Sequence, residues 1–253
     1  SGVVGGIVPD SFAIACHLLD RVRNSRTGEV YPVELNMPTP TTRYREICRV
    51  ADELGTDMFD HLPWHGNTRP DPSLGLHRVF LANKWKPTVA MIGQDRIPSI
   101  QNGEAKNSIQ PFTTLRLSFR IPPTCDHNRA AEALKRILES DPPYKAGVSF
   151  TVTHKAPGFS ARAMAPWLAQ STNKASLAHF EAQAMEWYEG ASIPFVGMLE
   201  EMLKRAELLV IGVLGHDSNE HGPNEFLHIP TGIRITTVVA DVIGHYPQGG
   251  IAT

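Results

Sequence analysis

The chain is poor in cysteine. Its three, Cys16, Cys48 and Cys125, are odd in number, far apart and in no C-x-x-C spacing, which excludes a disulfide framework or a cysteine-rich zinc site and fits a reducing compartment. No apolar run approaches the roughly 20 residues that span a bilayer. The opening, Ser1-Gly2-Val3-Val4-Gly5-Gly6, lacks the basic start of a signal peptide. A cytoplasmic protein with no membrane partner is expected. An excess of charge is lacking too: the formal net charge of -2 leaves no concentrated basic face for nucleic acid. Internal repeats, low-complexity tracts and glycine-rich phosphate loops are absent. So is an initiating Met, and the glycine-rich apolar opening through Val8 reads as the middle of a longer chain.

What is present is ordinary in bulk: 253 residues, 42% hydrophobic and 20% charged, enough for one large core or two smaller ones. The chemistry concentrates near the C-terminus. The apolar run from Glu207 to Leu214 reads as a fully buried strand, and Ile229 to Tyr246 has the length and spacing of a helix. Between them lies Gly215-His216-Asp217-Ser218-Asn219-Glu220-His221-Gly222-Pro223-Asn224-Glu225-Phe226. A polar stretch at a strand's carboxyl end is where α/β sheets bind ligands. Imidazoles, carboxylates, amides and a hydroxyl packed between glycines and a proline can hold a metal-binding His rigidly while their neighbours satisfy its hydrogen bonds. The same composition also serves as a plain polar turn.

From Pro9-Asp10-Ser11 the pattern is helical: Asp10 or Ser11 caps, and Phe12, Ile14, Ala15, Leu18, Leu19 and Val22 form an apolar face. Cys16 and His17 inside that helix read as packing residues. Residues 31 to 75 are rich in Pro, Thr and Asp, with one short helical piece around Tyr44 to Leu54, and so long an irregular excursion is an insertion or a functional loop. His61, His65 and His77 match no familiar metal spacing.

Strands follow at Thr88 to Gly93 and Phe112 to Ile121. The second alternates, with Phe112, Thr114, Arg116, Ser118 and Arg120 on one face and Thr113, Leu115, Leu117, Phe119 and Ile121 on the other. Its Leu and Phe face is the buried one, so Arg120 stands on the open face at the strand's end. There its planar fork either clamps a carboxylate or remains a solvated edge charge. Asp126 caps a helix whose Ala130, Ala131, Leu134, Ile137 and Leu138 face inward, and Val148 to Val152 reads as another strand. With a strand ahead of Ser1, this order is the split β-α-β arrangement of ferredoxin-like domains. Beyond Pro157 the long helical stretches Ser160 to Gln170 and Thr172 to Tyr188 mark a second domain. Glu189-Gly190-Ala191-Ser192-Ile193-Pro194 then opens a helix through Arg205, where Ser192 either caps or meets an anion.

Four of these pieces, Ser1-Gly2-Val3-Val4-Gly5-Gly6, Arg120 after its alternating strand, Glu189 to Pro194, and His221-Gly222-Pro223-Asn224-Glu225, resemble in order and spacing the C-terminal portion of the M20 family of metallopeptidases, in particular its carnosine-dipeptidase-like branch. The resemblance implies an α/β architecture. A ferredoxin-like α+β lid and dimerisation domain would occupy residues 1 to 156, without its first strand and with an insertion at about 31 to 85. The C-terminal part of a zinc-aminopeptidase-type α/β catalytic domain would occupy residues 157 to 253. The resemblance also implies hydrolysis of a peptide or N-acyl amino acid, two divalent metal ions (zinc, or else manganese), and a homodimer formed through the lid.

Residue by residue, it makes His221 the last metal ligand and Arg120 the lid arginine that binds the substrate's terminal carboxylate. Ser192 becomes the substrate-contacting serine of a Gly-Gly-Ser-Ile-Pro motif, and Asn107 a lid residue that helps hold the substrate and the developing oxyanion. Ala191 replaces the second glycine of its motif, and His216 stands where a proline is usual. The family's H-x-D motif, bridging Asp, Glu-Glu pair and remaining carboxylate ligand have no counterpart here and are expected upstream of Ser1. One imidazole cannot hold a metal pair, so the chain alone is expected neither to bind two metals tightly nor to hydrolyse peptides.

Two other readings stay open. One is a non-catalytic dimerisation or interaction module derived from that family. The other is a cysteine amidase using Cys125 near His127, which lacks an orienting carboxylate. Residues 157 to 253 cannot complete a doubly wound sheet and would expose Leu208 to Leu214. The absent N-terminal half of the catalytic domain, or oligomerisation, is expected to cover them.

Overall fold

The computed structural model of the chain describes residues 2–60, 62–188, 194–215 and 218–247. They form two units, the first comprising Ser1–Cys48, His77–Ser160 and Tyr188–Pro194, the second Arg49–Leu76, Ala161–Trp187 and Phe195–Thr253.

In the first unit, helix α1 (Ser11–Leu19) starts where Asp10 accepts hydrogen bonds from the N–H groups of Phe12 and Ala13, at 2.7 and 3.2 Å. Its inward stripe is Ile14, Leu18 and Leu19. Cys16 and His17 are exposed, contrary to the packing role expected of them. At about 100° per residue they fall on the flank away from Leu18, where Phe12 also meets solvent. Strands β1 (Thr88–Asp95) and β2 (Thr114–Arg120) pair antiparallel with Thr88 opposite Arg120, and a bulge lies between Met91 and Gly93. The alternation of β2 is observed, with Phe119 against the core and Arg116 and Arg120 exposed. Helix α5 (His127–Glu139) is capped by Asp126, which accepts from Asn128 and Arg129 at 2.8 and 3.2 Å. Leu18, Val22, Val30, Leu35, Ala130, Leu134 and Leu138 close the core.

The segment Val148 to Val152 is not a strand. Val148 and Phe150 do turn to the core, so the alternation is real. Its backbone groups are satisfied otherwise: the Phe150 amide donates to Glu139 Oε1 at 2.8 Å and its carbonyl accepts from Lys135 Nζ at 3.4 Å. A ladder needs a neighbouring strand, and among the described residues none lies beside this one. The excursion after residue 31 is more regular than its composition suggests. It contains helices α2 (Thr41–Leu54), α3 (Asp57–Asp60) and α4 (Leu76–Lys84) and a short 3₁₀ turn at Pro72–Leu74. Pro40 stands at the entry to α2, where its carbonyl accepts from Tyr44 N and its absent N–H costs nothing.

The second unit is built on α6 (Pro166–Phe180), α7 (Pro194–Met202) and α8 (Ile229–Gly244). One helix replaces the two expected across residues 160 to 188. Pro166 fixes its first turn, and Glu181, in a left-handed conformation at φ 59°, ends it. Leu168 and Ala175 of α6 pack on Val238 and Val242 of α8, with Trp167, Phe180 and Leu209 around them. His179 Nε2 lies 2.7 Å from Asp241 Oδ2 across the same pair of helices. The run Glu207 to Leu214 is neither a strand nor buried: Val210 is 60% and Leu214 55% exposed. A buried strand needs a neighbour to pair with and cover on its faces, and the described residues supply neither. No helix among the described residues is long and apolar enough to cross a membrane.

Candidate metal and substrate site

The loop from Gly215 to His228 is fastened by its own side chains. Ser218, 2% exposed, accepts through Oγ from the Gly215 amide at 2.9 Å and donates to the Gly215 carbonyl at 3.0 Å. The Phe226 amide donates to the Ser218 carbonyl at 3.1 Å, drawing the two ends together. The fit at Gly215 is close enough that a Cβ would lie 2.3 Å from that of His228. Within the loop, Asn219 Nδ2 donates to the Pro223 carbonyl at 2.6 Å, and a Cβ on Gly222 would meet the Asn219 amide at 2.6 Å. Both glycines are therefore required by space rather than by φ.

His221 sits in this frame at φ 60°, flanked by Asn219 at 53° and Asn224 at 59°. Left-handed backbone at non-glycine residues costs of order 1 kcal/mol or more each and persists only where the surroundings enforce it. The surroundings here are the bonds just described, together with the His221 amide donating to Glu225 Oε2 at 3.2 Å. Glu225 thus steadies the backbone of His221, and the imidazole itself points outward, exposed. His216 and Asp217, in the same stretch, lie outside the described residues.

Arg120 is the last residue of β2, exposed, in the first unit. Asn107 belongs to the same unit, exposed in the connection from β1 to β2. His221 belongs to the second unit, and Ser192 lies outside the described residues, as does His61. Among the described residues no group of three or more His, Cys, Asp or Glu side chains could hold a metal ion.

The cysteine-amidase reading loses its nucleophile. Cys125 is buried, its Sγ donates to the Glu34 carbonyl at 3.2 Å, and burial, with Asp126 beside it, pushes the thiol up from its ordinary range. A thiolate is disfavoured there.

One polar cluster escaped sequence reasoning. Arg43 and Glu46 of α2, 3.2 Å apart, both engage the Tyr188 hydroxyl, which accepts from the guanidinium and donates to the carboxylate through short hydrogen bonds. The guanidinium carbon also stands 5.2 Å from the centre of the Tyr188 ring. Burial, then the bond to Glu46, raises the phenol well above the ordinary tyrosine range, so it stays neutral. With Tyr188 lying 142 residues from Glu46, no local spacing could have signalled the contact.

No family model matches the chain, and no curated protein matches it. Solved structures do. Over 97% of this chain, human carnosine dipeptidase 1 aligns with a TM-score of 0.63 at 16% identity, and the match covers 51% of that protein. An M20 family metallo-carboxypeptidase from Sulfolobus solfataricus aligns over 97% of this chain and 54% of its own, with a TM-score of 0.70 at 16% identity. For a di-peptidase from Saccharomyces cerevisiae the values are 97% and 50%, 0.62 and 16%. The chain carries the fold of M20 metallopeptidases and spans about half the length of these neighbours.

Proposed function

We propose that this chain forms part of an M20-type metal-dependent hydrolase that cleaves a peptide or N-acyl amide bond, and that it supplies one metal ligand and the substrate-holding residues. The observation that carries this reading is the exposed imidazole of His221, set on left-handed backbone in a self-fastened loop. It occurs in a chain whose fold is shared with three such peptidases.

The domain assignment goes with it. Residues 1 to 156 act as a ferredoxin-like lid and dimerisation domain, and residues 157 to 253 belong to the catalytic domain. The change of unit between Ser160 and Ala161 supports a boundary near residue 157, while Arg49–Leu76 groups with the second unit and Tyr188–Pro194 with the first. The core-facing alternation of Val148 and Phe150 supports an edge position in a larger lid sheet.

Two divalent ions, zinc or manganese, would polarise the scissile carbonyl and lower the pKa of a water when bound. The chain's own contribution is positional. His221 offers a ring nitrogen from a backbone held by its own loop. The Arg120 guanidinium, exposed at the end of β2, takes a terminal carboxylate in bidentate fashion. The Asn107 amide donates to the substrate's carbonyl oxygen as charge builds there, and Ser192 is a further substrate contact. The remaining ligands and the proton-transfer carboxylates come from outside these residues, so the 253-residue chain alone is inactive and binds no metal pair.

Metal content by plasma emission and a dipeptide hydrolysis assay test this in two steps. The 253-residue chain should show neither tight metal nor turnover. The product of the whole reading frame should hold two divalent ions and hydrolyse dipeptides, with His221→Ala lowering turnover by roughly a hundredfold or more. A whole product that is metal-free and inert would instead establish the non-catalytic module.

A further inference from the structure

Strand β2 carries two arginines, and the function proposed above employs Arg120 and leaves Arg116 without a role. Paired residues of an antiparallel sheet share a face. The open face of β1 and β2 therefore sets Thr88 opposite Arg120, Ala90 opposite Ser118 and Gly93 opposite Arg116. Unbroken counting from Ala90 would bring Ile92 opposite Arg116. The bulge between Met91 and Gly93 puts a glycine there instead. A Cβ on Gly93 would lie 3.4 Å from the Arg116 Cβ and 4.0 Å from its Cδ, so the arginine stem crosses β1 at the one position without a side chain. Arg116 is exposed there, with nothing bulky opposite it.

Arg116 and Arg120 stand on one face of one strand, about 13 Å apart at Cα from a rise of ~3.3 Å per residue. Only the small side chains of Ala90 and Ser118 fill the interval, so nothing tall separates the two long stems. The only acidic residue of the two strands, Asp95, pairs with Thr114 at the end away from Arg120. Arg96, at that same end, is already engaged: its guanidinium carbon lies 4.9 Å from the centre of the Phe112 ring. On these strands the interval from Arg116 to Arg120 thus bears two positive charges and no negative one. A single terminal carboxylate occupies one planar fork. Two forks above a low strip match a ligand with two carboxylates, and a glutamate, whose second carboxylate stands farther out than that of aspartate, suits the wide spacing better.

We propose that Arg116 and Arg120 form a two-point site for a dicarboxylic ligand, Arg120 taking the terminal carboxylate and Arg116 an acidic side chain, so that the substrate class is peptides or N-acyl amino acids ending in glutamate. The substrate assignment rests on the M20-type function, but the site itself is testable without turnover.

The experiment is an NMR titration of the 253-residue chain, read at the arginine Nε–H signals, with N-acetylglutamate and its amide counterpart N-acetylglutamine. The parent should bind the acid about fivefold more tightly than the amide, the scale of one exposed charge pair, with the signals of both arginines shifting. Arg116→Gln should weaken binding of the acid alone and bring the two ligands within about twofold of each other. Arg116→Lys, which keeps the charge without the planar fork, should restore only part of the difference. Arg120→Gln should weaken both ligands alike. Arg26→Gln, at an exposed arginine of the same unit, is the control and should alter neither. Equal binding of acid and amide by the parent, or a preference that survives Arg116→Gln, would overturn the proposal and leave Arg116 a solvated edge charge. In the complete enzyme, Arg116→Gln should raise KM several-fold for a dipeptide ending in glutamate, with kcat and the hydrolysis of the glutamine counterpart nearly unaltered. A parent enzyme that cleaves both dipeptides with equal kcat/KM would overturn the substrate assignment. If it hydrolyses nothing, the M20-type function fails while the titration still decides the site.

Discussion

The two units differ in how completely each covers its own apolar residues. The first wraps a two-stranded sheet and two capped helices around a core in which Val22 and Leu35 are wholly inaccessible. The second buries Leu168, Ala175, Val238 and Val242 between two helices and leaves Val210, Ile211, Val213 and Leu214 in solvent. The contrast shows that apolar sequence is not the same as a core. A run of residues becomes a buried strand only when other backbone pairs with it and other side chains cover it. The first unit finds those partners within the described residues, whereas the second has the sequence of a central strand without its neighbours.

The contrast is broken most directly by truncating one core side chain in each unit. Leu134 of α5 touches the main cluster of the first unit, and Leu134→Ala should cost about 2–5 kcal/mol by urea unfolding, since a closed core leaves a cavity. Val238→Ala in α8 removes two methyl groups from a smaller contact and should cost roughly 1.5 kcal/mol. Equal losses would show that the second core is as well enclosed as the first.

A pH series sharpens the first unit's side of the comparison. Glu34, Asp126 and Glu139 all titrate below the ordinary carboxylate range. Glu34 is lowered first by its own backbone amide and then by Arg136, Asp126 by the amides of Arg129 and Asn128, and Glu139 by Lys135 and then the Phe150 amide. Each binds its proton more weakly folded than unfolded. Their contribution is therefore fully present above the unfolded carboxyl pKa of about 4 and is lost as pH falls through the lower folded values. The sign is opposite at the alkaline end. Tyr188 holds its proton more tightly folded than unfolded, so its contribution is intact below about pH 10 and lost above it. Thermal melts should give a plateau that falls on both sides, and Tyr188→Phe should flatten only the alkaline limb. An alkaline limb unchanged in that variant would show that another group governs it.

Much of the first unit was legible because its signals are local. Asp10 and Asp126 stand at cap positions, and β2 alternates at a period of two, so both helix starts and the outward placing of Arg120 follow from residues within one turn or strand of each other. The strands expected at Val148 to Val152 and Glu207 to Leu214 failed for one reason, that pairing is a property of two segments and only one was in view. The histidine loop was legible in its composition and illegible in its mechanics. The sequence marked His221, but the roles of Ser218 as a clasp and of Glu225 as a backbone partner depend on a turn that no spacing rule specifies. The Tyr188 cluster was beyond reach altogether, because it joins α2 to a residue far along the chain.

The smallest expected change in stability tests the second unit's side. Val210→Thr with Val213→Thr replaces a methyl by a hydroxyl at two exposed positions, keeping size and β-branching while making the run more polar. If these side chains meet only water in the isolated chain, the double variant should unfold within about 0.5 kcal/mol of the parent. Its association should change far more. An exposed row of apolar residues with unpaired backbone is a template for another edge, so the parent should sediment as concentration-dependent oligomers and bind a hydrophobic dye, and the variant should do both less. A loss of 2 kcal/mol or more with unaltered sedimentation would place the run inside the second unit's own core. A stability left unchanged, with sedimentation shifted toward monomer, would identify the run as surface that folding of this chain does not use and that only another polypeptide segment can cover.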